Sequence, residues 1–132
     1  MTLKVRGLDH LVLRVKDPVA MEQFYVEVLG LAVERRQDRI GLVQLRAGAQ
    51  LIDLVAVDGM LGQQGGAGPG AEGRNLDHFC LNLDDFDLAA TIAHLEAHNV
   101  AVGESGRRFG AGGFGVSVYL SDPEGNGLEL RG

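Results

Sequence analysis

The sequence is poor in cysteine and in aromatic residues, and it has no long apolar run. Its 132 residues include one cysteine, three prolines and no tryptophan. The single Cys80 excludes an internal disulfide, and its place in an apolar run indicates a small core residue rather than a nucleophile. No apolar run approaches the roughly 20 residues of a membrane span, and the first residues lack the apolar segment of a signal peptide. We therefore expect a cytoplasmic protein without a membrane partner.

Positive charge is scarce as well. Twelve Lys and Arg residues against 18 Asp and Glu give a net charge of −6, which argues against a nucleic-acid partner because phosphate binding requires a basic surface. Aromatic residues make up only 5% of the chain, which disfavours flat aromatic ligands.

The glycine-rich stretch 110–115 lacks the Lys-Ser/Thr of a phosphate-binding loop. We expect that stretch to be a flexible loop at the mouth of a small-molecule site.

The chain repeats one motif at an interval of half its length. Leu-Asp-His-Leu-Val-Leu-Arg-Val-Lys-Asp at 8–17 returns as Leu-Asp-His-Phe-Cys-Leu-Asn-Leu-Asp-Asp at 76–85. Alternating apolar residues predict that each copy begins with a strand. In the first copy, Asp17-Pro18 predicts the start of a helix and Gly30 its end.

Three strands are predicted after each helix. They lie near 31–37, 40–46 and 50–57 in the first half, and near 100–104, 114–121 and 126–131 in the second, after a helix over 87–98. Between the halves, residues 58–75 are rich in glycine and carry no apolar period, which predicts a linker or mobile loop. Each half thus has the predicted order strand, helix and three strands.

Two histidines and two carboxylates occupy corresponding places in the halves. His10 and His78 each follow an aspartate on the first strand, whereas Asp53 and Glu129 lie in apolar runs on the last strand. A histidine on such a strand is often bonded only to backbone, and a carboxylate on an edge strand often points to water. The repetition favours another interpretation, because buried carboxylates need partners. Two histidines and two carboxylates form a plausible ligand set for Zn, Ni, Fe, Mn or Co.

Three stretches resemble the vicinal oxygen chelate superfamily, which includes glyoxalase I, fosfomycin resistance transferases, extradiol dioxygenases and bleomycin resistance proteins. They are Leu-Asp-His-Leu-Val-Leu-Arg-Val from residue 8, Phe24-Tyr25 with Val28-Leu29-Gly30-Leu31, and Asp-Pro-Glu-Gly-Asn-Gly-Leu-Glu-Leu at 122–130. The resemblance implies an α+β fold in which two βαβββ modules form a curved mixed sheet. The modules span about 8–57 and 76–131 of a single domain covering 1–132. Small members of the superfamily often pair, so we expect a homodimer.

The resemblance also implies roles for individual residues. The metal ligands are His10, Asp53, His78 and Glu129, and the catalytic base is Glu129 or Asp53. Expected substrate contacts are Arg14, Tyr119 and Ser117. Arg14 matches an arginine that binds the glutathione carboxylate in bacterial glyoxalase I, although Val57 stands where that enzyme has an asparagine.

The expected function is that of a glyoxalase-like lyase or isomerase that depends on a divalent metal. It would act on a small oxygenated substrate through an enediolate or oxyanion. Two alternatives remain. One is a protein of the bleomycin resistance type that binds or sequesters a small molecule without catalysis, and the other is a dioxygenase-like member of the superfamily.

Overall fold

The structure, a computed structural model, describes all residues from Met1 to Gly132. The chain divides into two compact units, Met1–Pro69 and Gly70–Gly132. Each unit contains one strand, one helix and three further strands in that order. This arrangement confirms the predicted α+β fold with a repeated βαβββ pattern, and the boundary between the units falls within the glycine-rich segment 58–75.

The first unit is built on a four-stranded sheet. Its elements are β1 (His10–Val15), α1 (Pro18–Gln23), β2 (Ala32–Gln37), β3 (Leu42–Ala47) and β4 (Gln50–Ala56). A π-helical turn, Phe24–Val28, continues α1, and short 3₁₀ segments cover Asp38–Ile40 and Gly62–Gly65. The strand order is β1-β4-β3-β2, with β1 parallel to β4 and the other pairs antiparallel.

The second unit has the same topology. Its elements are β5 (His78–Asn82), α2 (Leu88–Ala97), β6 (Ser105–Gly110), β7 (Gly113–Ser121) and β8 (Gly127–Arg131). The strand order is β5-β8-β7-β6, again with only the first pair, β5 and β8, parallel. The duplication seen in the sequence is therefore also a duplication of strand pairing.

The helix ends follow the sequence signals. Asp17 accepts a hydrogen bond from the Ala20 amide at 3.0 Å, and Gly30 ends the helical stretch with a φ of +77°. In the second unit, Asp87 accepts from the Ala90 amide at 2.8 Å, and Asn99 has a φ of +59°. These caps orient each helix against its own sheet, where α1 contacts β4 and α2 contacts β7.

Each unit has its own apolar core between helix and sheet. The fully buried side chains include Val15, Met21, Tyr25, Leu45 and Leu54 in the first unit and Leu95, Val118, Leu128 and Leu130 in the second. Because side chains alternate along a strand, the residues between them point to the opposite face of the sheet. That opposite face carries the polar residues of interest.

Two predictions about the second half are wrong. The strand expected at 100–104 lies instead at Ser105–Gly110, because pairing with β7 determines its position. The stretch 110–115 is not a flexible loop: Gly110 and Gly113 pair across a tight hairpin, and Gly113 has a φ of +101°. The glycines serve the turn and the sheet.

No helix in the chain is both long and apolar enough to cross a membrane.

Candidate functional site

On the first sheet, His10 and Asp53 project from the same face. Val12 lies beside Asp53 across the parallel pair of β1 and β4. Neighbours in register share a face, and so do residues two apart on a strand, which places His10 on the side of Asp53. Asp53 is buried, with 4% of its surface exposed. We call the face that carries this pair the site face of the sheet.

The second sheet repeats this register. Cys80 lies beside Glu129 across the parallel pair of β5 and β8, and His78 is two residues before Cys80. The imidazole Nε2 of His78 is 3.9 Å from Oε1 of Glu129. A histidine and a carboxylate therefore occupy equivalent places on the site face of each unit.

Both histidines are oriented by the aspartate that precedes them. Nδ1 of His10 lies 2.7 Å from Asp9 Oδ1, and Nδ1 of His78 lies 2.6 Å from Asp77 Oδ2. An imidazole that donates from Nδ1 keeps the Nε2 lone pair for a metal or a proton. The hydrogen bond to Asp9 raises the pKa of His10; partial desolvation opposes this, and the charge of Asp53 adds to it.

Asp53 has one partnered and one open carboxylate oxygen. Its Oδ2 accepts a hydrogen bond from Gln44 Nε2 at 3.2 Å, across the β3–β4 pair. Its Oδ1 is buried and has no hydrogen-bond partner. An unpaired buried carboxylate oxygen is costly, and a cation is the kind of partner that would offset the cost.

Glu129 is buried among donors. Burial raises its pKa, but nearby groups outweigh burial and hold the pKa of Glu129 below its usual value. These groups are the Cys80 thiol, the Tyr119 and Ser117 hydroxyls and the His78 charge. The Ser117 hydroxyl is fully buried and makes no well-formed hydrogen bond, so it acts on Glu129 as a nearby dipole. Glu129 is thus ionised at neutral pH.

Cys80 is exposed, so its assignment to the core is wrong. β5 is an edge strand, and Cys80 points to the site face rather than toward the helix. Although the residue is exposed overall, partial desolvation of its thiol, reinforced by the hydrogen bond and charge of Glu129, raises the pKa of Cys80 to about 12. A thiol that stays protonated at neutral pH is a poor nucleophile, as expected from the sequence.

Arg14 shares the site face with His10, but its guanidinium binds backbone. Nη1 donates to the Ala67 carbonyl at 3.0 Å, and Nη2 donates to the carbonyls of Gly62 at 2.8 Å and Gly66 at 2.6 Å. Carbonyls at the end of a helical turn attract cations. A side chain at Gly65 would collide with the guanidinium. Arg14 therefore anchors the glycine-rich loop, while its contact with a substrate stays a prediction.

Tyr119 and Ser117 also lie on the site face of the second sheet. Tyr119 is opposite Glu129 in the β7–β8 register, and Ser117 is opposite Arg131. The Tyr119 ring meets the His78 ring edge-on, with 5.6 Å between centroids. The hydrogen bond with Glu129 is the main cause of the raised pKa of Tyr119. Tyr119 is therefore adjacent to both members of the His78–Glu129 pair.

The structure assembles the four predicted ligands as two pairs, one in each unit. No group of three or more His, Cys, Asp or Glu side chains suited to a metal occurs in the chain. Each pair nevertheless fits a cation chemically. Two metal–ligand bonds of about 2.0–2.2 Å span the 3.9 Å between His78 and Glu129, and the open oxygen of Asp53 needs a positive partner.

Sequence reasoning missed the residues that support these pairs. Asp9 and Asp77 orient the histidines, and the signal for them was visible, since Asp precedes His in both copies. Gln44, which was also missed, lies opposite Asp53, in the place that the expected residue Tyr119 has opposite Glu129. The role of Gln44 depends on the β3–β4 register, which no local pattern in the sequence specifies.

Comparison with known proteins places the chain in a family. The model of the Glyoxalase/Bleomycin resistance protein/Dioxygenase superfamily matches residues 7–130. A catechol-2,3-dioxygenase of Bacillus subtilis (strain 168) is 30% identical over 109 residues, which are 82% of this chain. The chain spans about a third of that relative, 35% of its length.

Solved structures share the fold over almost the whole chain. An integron cassette protein from the mobile metagenome of V. cholerae is 30% identical, with a TM-score of 0.78 and coverage of 99% of this chain and 98% of that one. A lactoylglutathione lyase from Agrobacterium tumefaciens is 24% identical, with a TM-score of 0.69 and coverage of 96% and 93%. This chain belongs to the Glyoxalase/Bleomycin resistance protein/Dioxygenase superfamily.

Proposed function

We propose that the protein is a metal-dependent lyase or isomerase of the glyoxalase type that acts on a small oxygenated substrate. The observation that carries the proposal is the repeated pairing of a histidine with a buried carboxylate, at the same register in both units. A chance surface histidine has no reason to recur beside a buried carboxylate. The buried, unpaired oxygen of Asp53 adds support, because it lacks the positive partner that its burial calls for.

Under this proposal, the divalent-metal ligands are a histidine and a carboxylate from each half of the sequence. The ligands are His10, Asp53, His78 and Glu129, and a set of two nitrogens and two oxygens suits Zn, Ni, Mn, Fe or Co. A bound divalent ion supplies Lewis-acid stabilisation of negative charge on substrate oxygens. Asp9 and Asp77 hold the two imidazoles with Nε2 available as the ligand atom.

The two carboxylates differ in a way that divides their roles. Glu129 receives several donors and its pKa is lowered, so it remains ionised and suits a permanent ligand. Asp53 Oδ1 accepts no hydrogen bond, and we propose it as the oxygen that receives a proton from the substrate carbon. Tyr119 and Ser117, which lie beside Glu129, are proposed substrate contacts. Arg14 is a third proposed contact, and its guanidinium also anchors the glycine-rich loop.

A thermal-shift series tests this proposal. Metal-free protein is melted with Ni, Zn, Mn, Co or Fe(II), because a metal that binds only the native state stabilises it by about 2.7 kcal/mol at a hundredfold excess over Kd. The hemithioacetal of methylglyoxal and glutathione is the first substrate to assay. His94→Ala, on an exposed helix position, is the control. No stabilisation by any of these metals would reject the proposal and favour a sequestering protein.

A ring-cleaving dioxygenase is the second candidate, favoured by the identity with the Bacillus subtilis catechol-2,3-dioxygenase. That chemistry consumes O2, whereas an isomerase or lyase does not. Oxygen uptake by the Fe(II)-loaded protein with catechol separates the two candidates. Catechol-dependent uptake that disappears in His78→Ala would establish the dioxygenase, and metal-dependent turnover without uptake would establish the isomerase or lyase.

We also propose that the protein acts as a homodimer on its small-molecule substrate. Light scattering during size-exclusion chromatography should give about twice the 14.0 kDa mass of the chain. A mass equal to that of one chain at micromolar concentration would reject this part of the proposal.

A further inference from the structure

Arg131 is a buried cation on the site face of the second sheet. It is 7% exposed and lies two residues beyond Glu129 on β8. Its Nη2 donates to the carbonyls of Gly113 at 2.8 Å and Arg108 at 3.4 Å. Arg36, Arg46 and Arg108 are each paired with a glutamate, but no carboxylate lies within ion-pair distance of Arg131. Its guanidinium is therefore held by backbone carbonyls and not by an ion pair.

Glycines make the space that the Arg131 side chain occupies. A Cβ at Gly110 would collide with Nη1, and a Cβ at Gly115 would come within 2.7 Å of Nη2. Both glycines lie on the β6–β7 hairpin, whose turn needs only Gly113 at positive φ. We infer that the hairpin is shaped around the guanidinium, because its glycines extend beyond the turn itself.

The first sheet also carries an arginine two positions beyond its carboxylate, and its hydrogen bonding differs from that of Arg131. Arg14 pairs with Val55 two positions beyond Asp53, and Asn82 pairs with Arg131 two positions beyond Glu129. Both Nη atoms of Arg14 are bonded to the loop, and its Nε is buried. In Arg131, Nε and Nη1 donate to no protein acceptor, yet neither is a buried orphan atom. These donors are accessible from solvent.

We propose that Arg131 forms a subsite for the carboxylate of an acidic substrate. Other polar residues on this face are Glu129 along the strand, Asn82 and Ser117 on the flanking strands, nearby Cys80, and Arg108 on β6. Residues two apart on a strand are about 7 Å apart. A carboxylate on Arg131 would therefore belong to a molecule that extends along β8 from the guanidinium toward the His78–Glu129 pair. An oxyanion matches the unused donors of a guanidinium and supplies the countercharge that a buried cation needs.

This substrate class rests on the proposed metal-dependent function, so its first test uses no metal. Metal-free protein labelled with ¹⁵N-arginine is titrated with glutarate and, separately, with inorganic phosphate. We expect a saturable shift of the Arg131 Nε–H signal with glutarate, with Arg107→Gln as the control on the opposite face of β6. Arg131→Lys keeps the charge without the planar donor array and should bind glutarate at least about fivefold more weakly.

Several results of this titration would overturn the subsite. One is a shift that does not saturate, another is glutarate affinity in Arg131→Lys equal to that of the native protein, and a third is binding of phosphate alone. The last would indicate a phosphate site rather than a carboxylate site.

A second test links the subsite to the metal. Two chelators with the same hydroxamate group, glutaric monohydroxamic acid and neutral butyrohydroxamic acid, are compared on Ni-loaded protein. The acid should bind about tenfold more tightly, a preference of roughly 1.4 kcal/mol, and Arg131→Gln should remove only that preference. Equal binding of both chelators to the native protein would reject the subsite. Binding of neither, with glutarate binding intact without metal, would reject the metal site and leave the anion subsite standing.

Discussion

Single side chains decide the chemistry of each His–carboxylate pair. The aspartate before each histidine fixes which ring nitrogen carries the proton, and the residue opposite each carboxylate determines how many of its oxygens stay open. Gln44 leaves one oxygen of Asp53 free, whereas Glu129 is surrounded by donors. The two pairs are therefore similar in position and different in the hydrogen bonding of their carboxylates.

Replacing Asp9 by Asn should lower the pKa of His10 toward its ordinary value. The hydrogen bond that the His10 ring donates to Asp9 is the main cause of the raised pKa. Because the folded pKa is raised, the interaction stabilises the native protein below the unfolded pKa of about 6.5, and this contribution disappears as pH rises through the folded pKa. An NMR titration of the His10 ring measures the shift, with Asp58→Asn as a control. An unchanged His10 pKa in Asp9→Asn would contradict the assigned role.

Asp53→Asn should affect stability and metal binding in opposite directions. The substitution keeps the shape of the side chain but removes a buried charge with an unpaired oxygen. The free energy of unfolding of the metal-free protein should therefore stay the same or rise by up to about 1 kcal/mol. Metal affinity should fall at least about tenfold, as for other changes around metal ligands. Urea unfolding and calorimetric metal titration measure the two quantities. A clear loss of stability without a loss of metal affinity would indicate a purely structural Asp53.

At the scale of elements, the turn between β7 and β8 positions Glu129. Asp122 is buried and accepts hydrogen bonds from the amides of Glu124 and Asn126 and from Nδ2 of Asn126. Arg74 adds donors to the Glu124 carbonyl and the Asn126 side chain. The Asp-Pro-Glu-Gly-Asn segment is therefore a turn that sets where β8 begins.

Asp122→Ala should lower the free energy of unfolding by about 3 kcal/mol, because it leaves buried amide donors without an acceptor. Chemical denaturation of the variant tests this value, and Asp84→Ala at an exposed position is the matched control. A change no larger than that of the control would show that the turn forms without its carboxylate.

The loop that follows β4 depends on Arg14. Arg14→Gln should leave the sheet intact and release the segment 62–67, because the guanidinium bonds to three of its carbonyls. Hydrogen exchange of the amides in this segment should accelerate at least about tenfold, whereas Arg39→Gln should change nothing there. Equal exchange in both variants would mean that the loop is held by its own turns.

Local sequence signals predicted the helices and strands better than they predicted the contacts between strands. Asp17 and Gly30 mark helix ends through their own backbone and capping chemistry, and both behave as predicted. The strand predicted at 100–104 lies at Ser105–Gly110, because pairing with β7 determines which residues form the strand. Pairing across the sheet is not encoded in any short window of sequence.

The candidate site was predictable to the same limited degree. The repeated Asp-His motif and the two carboxylates could be found from the pattern alone. The buried guanidinium of Arg131 could not, because an arginine beside the last residue resembles a surface residue. Its burial depends on Gly110 and Gly115, which come close only through the β6–β7 hairpin.

At the scale of the whole molecule, duplication gives two copies of one scaffold that carry different side chains at equivalent positions. Equivalent places hold Asp53 and Glu129 as carboxylates, and Gln44 and Tyr119 as their cross-strand neighbours. Membership in the superfamily accounts for the shared scaffold. The differences between the copies are where reactivity and substrate preference would arise.

The central claim is that His10, Asp53, His78 and Glu129 are ligands of a divalent metal. Elemental analysis of protein purified without a chelating tag measures this directly, on the native chain and on His10→Ala, His78→Ala and the control His94→Ala. We predict about one divalent ion per chain in the native protein and the control, and loss of most of it in each of the other two variants. Stoichiometric metal in both His10→Ala and His78→Ala would contradict the claim.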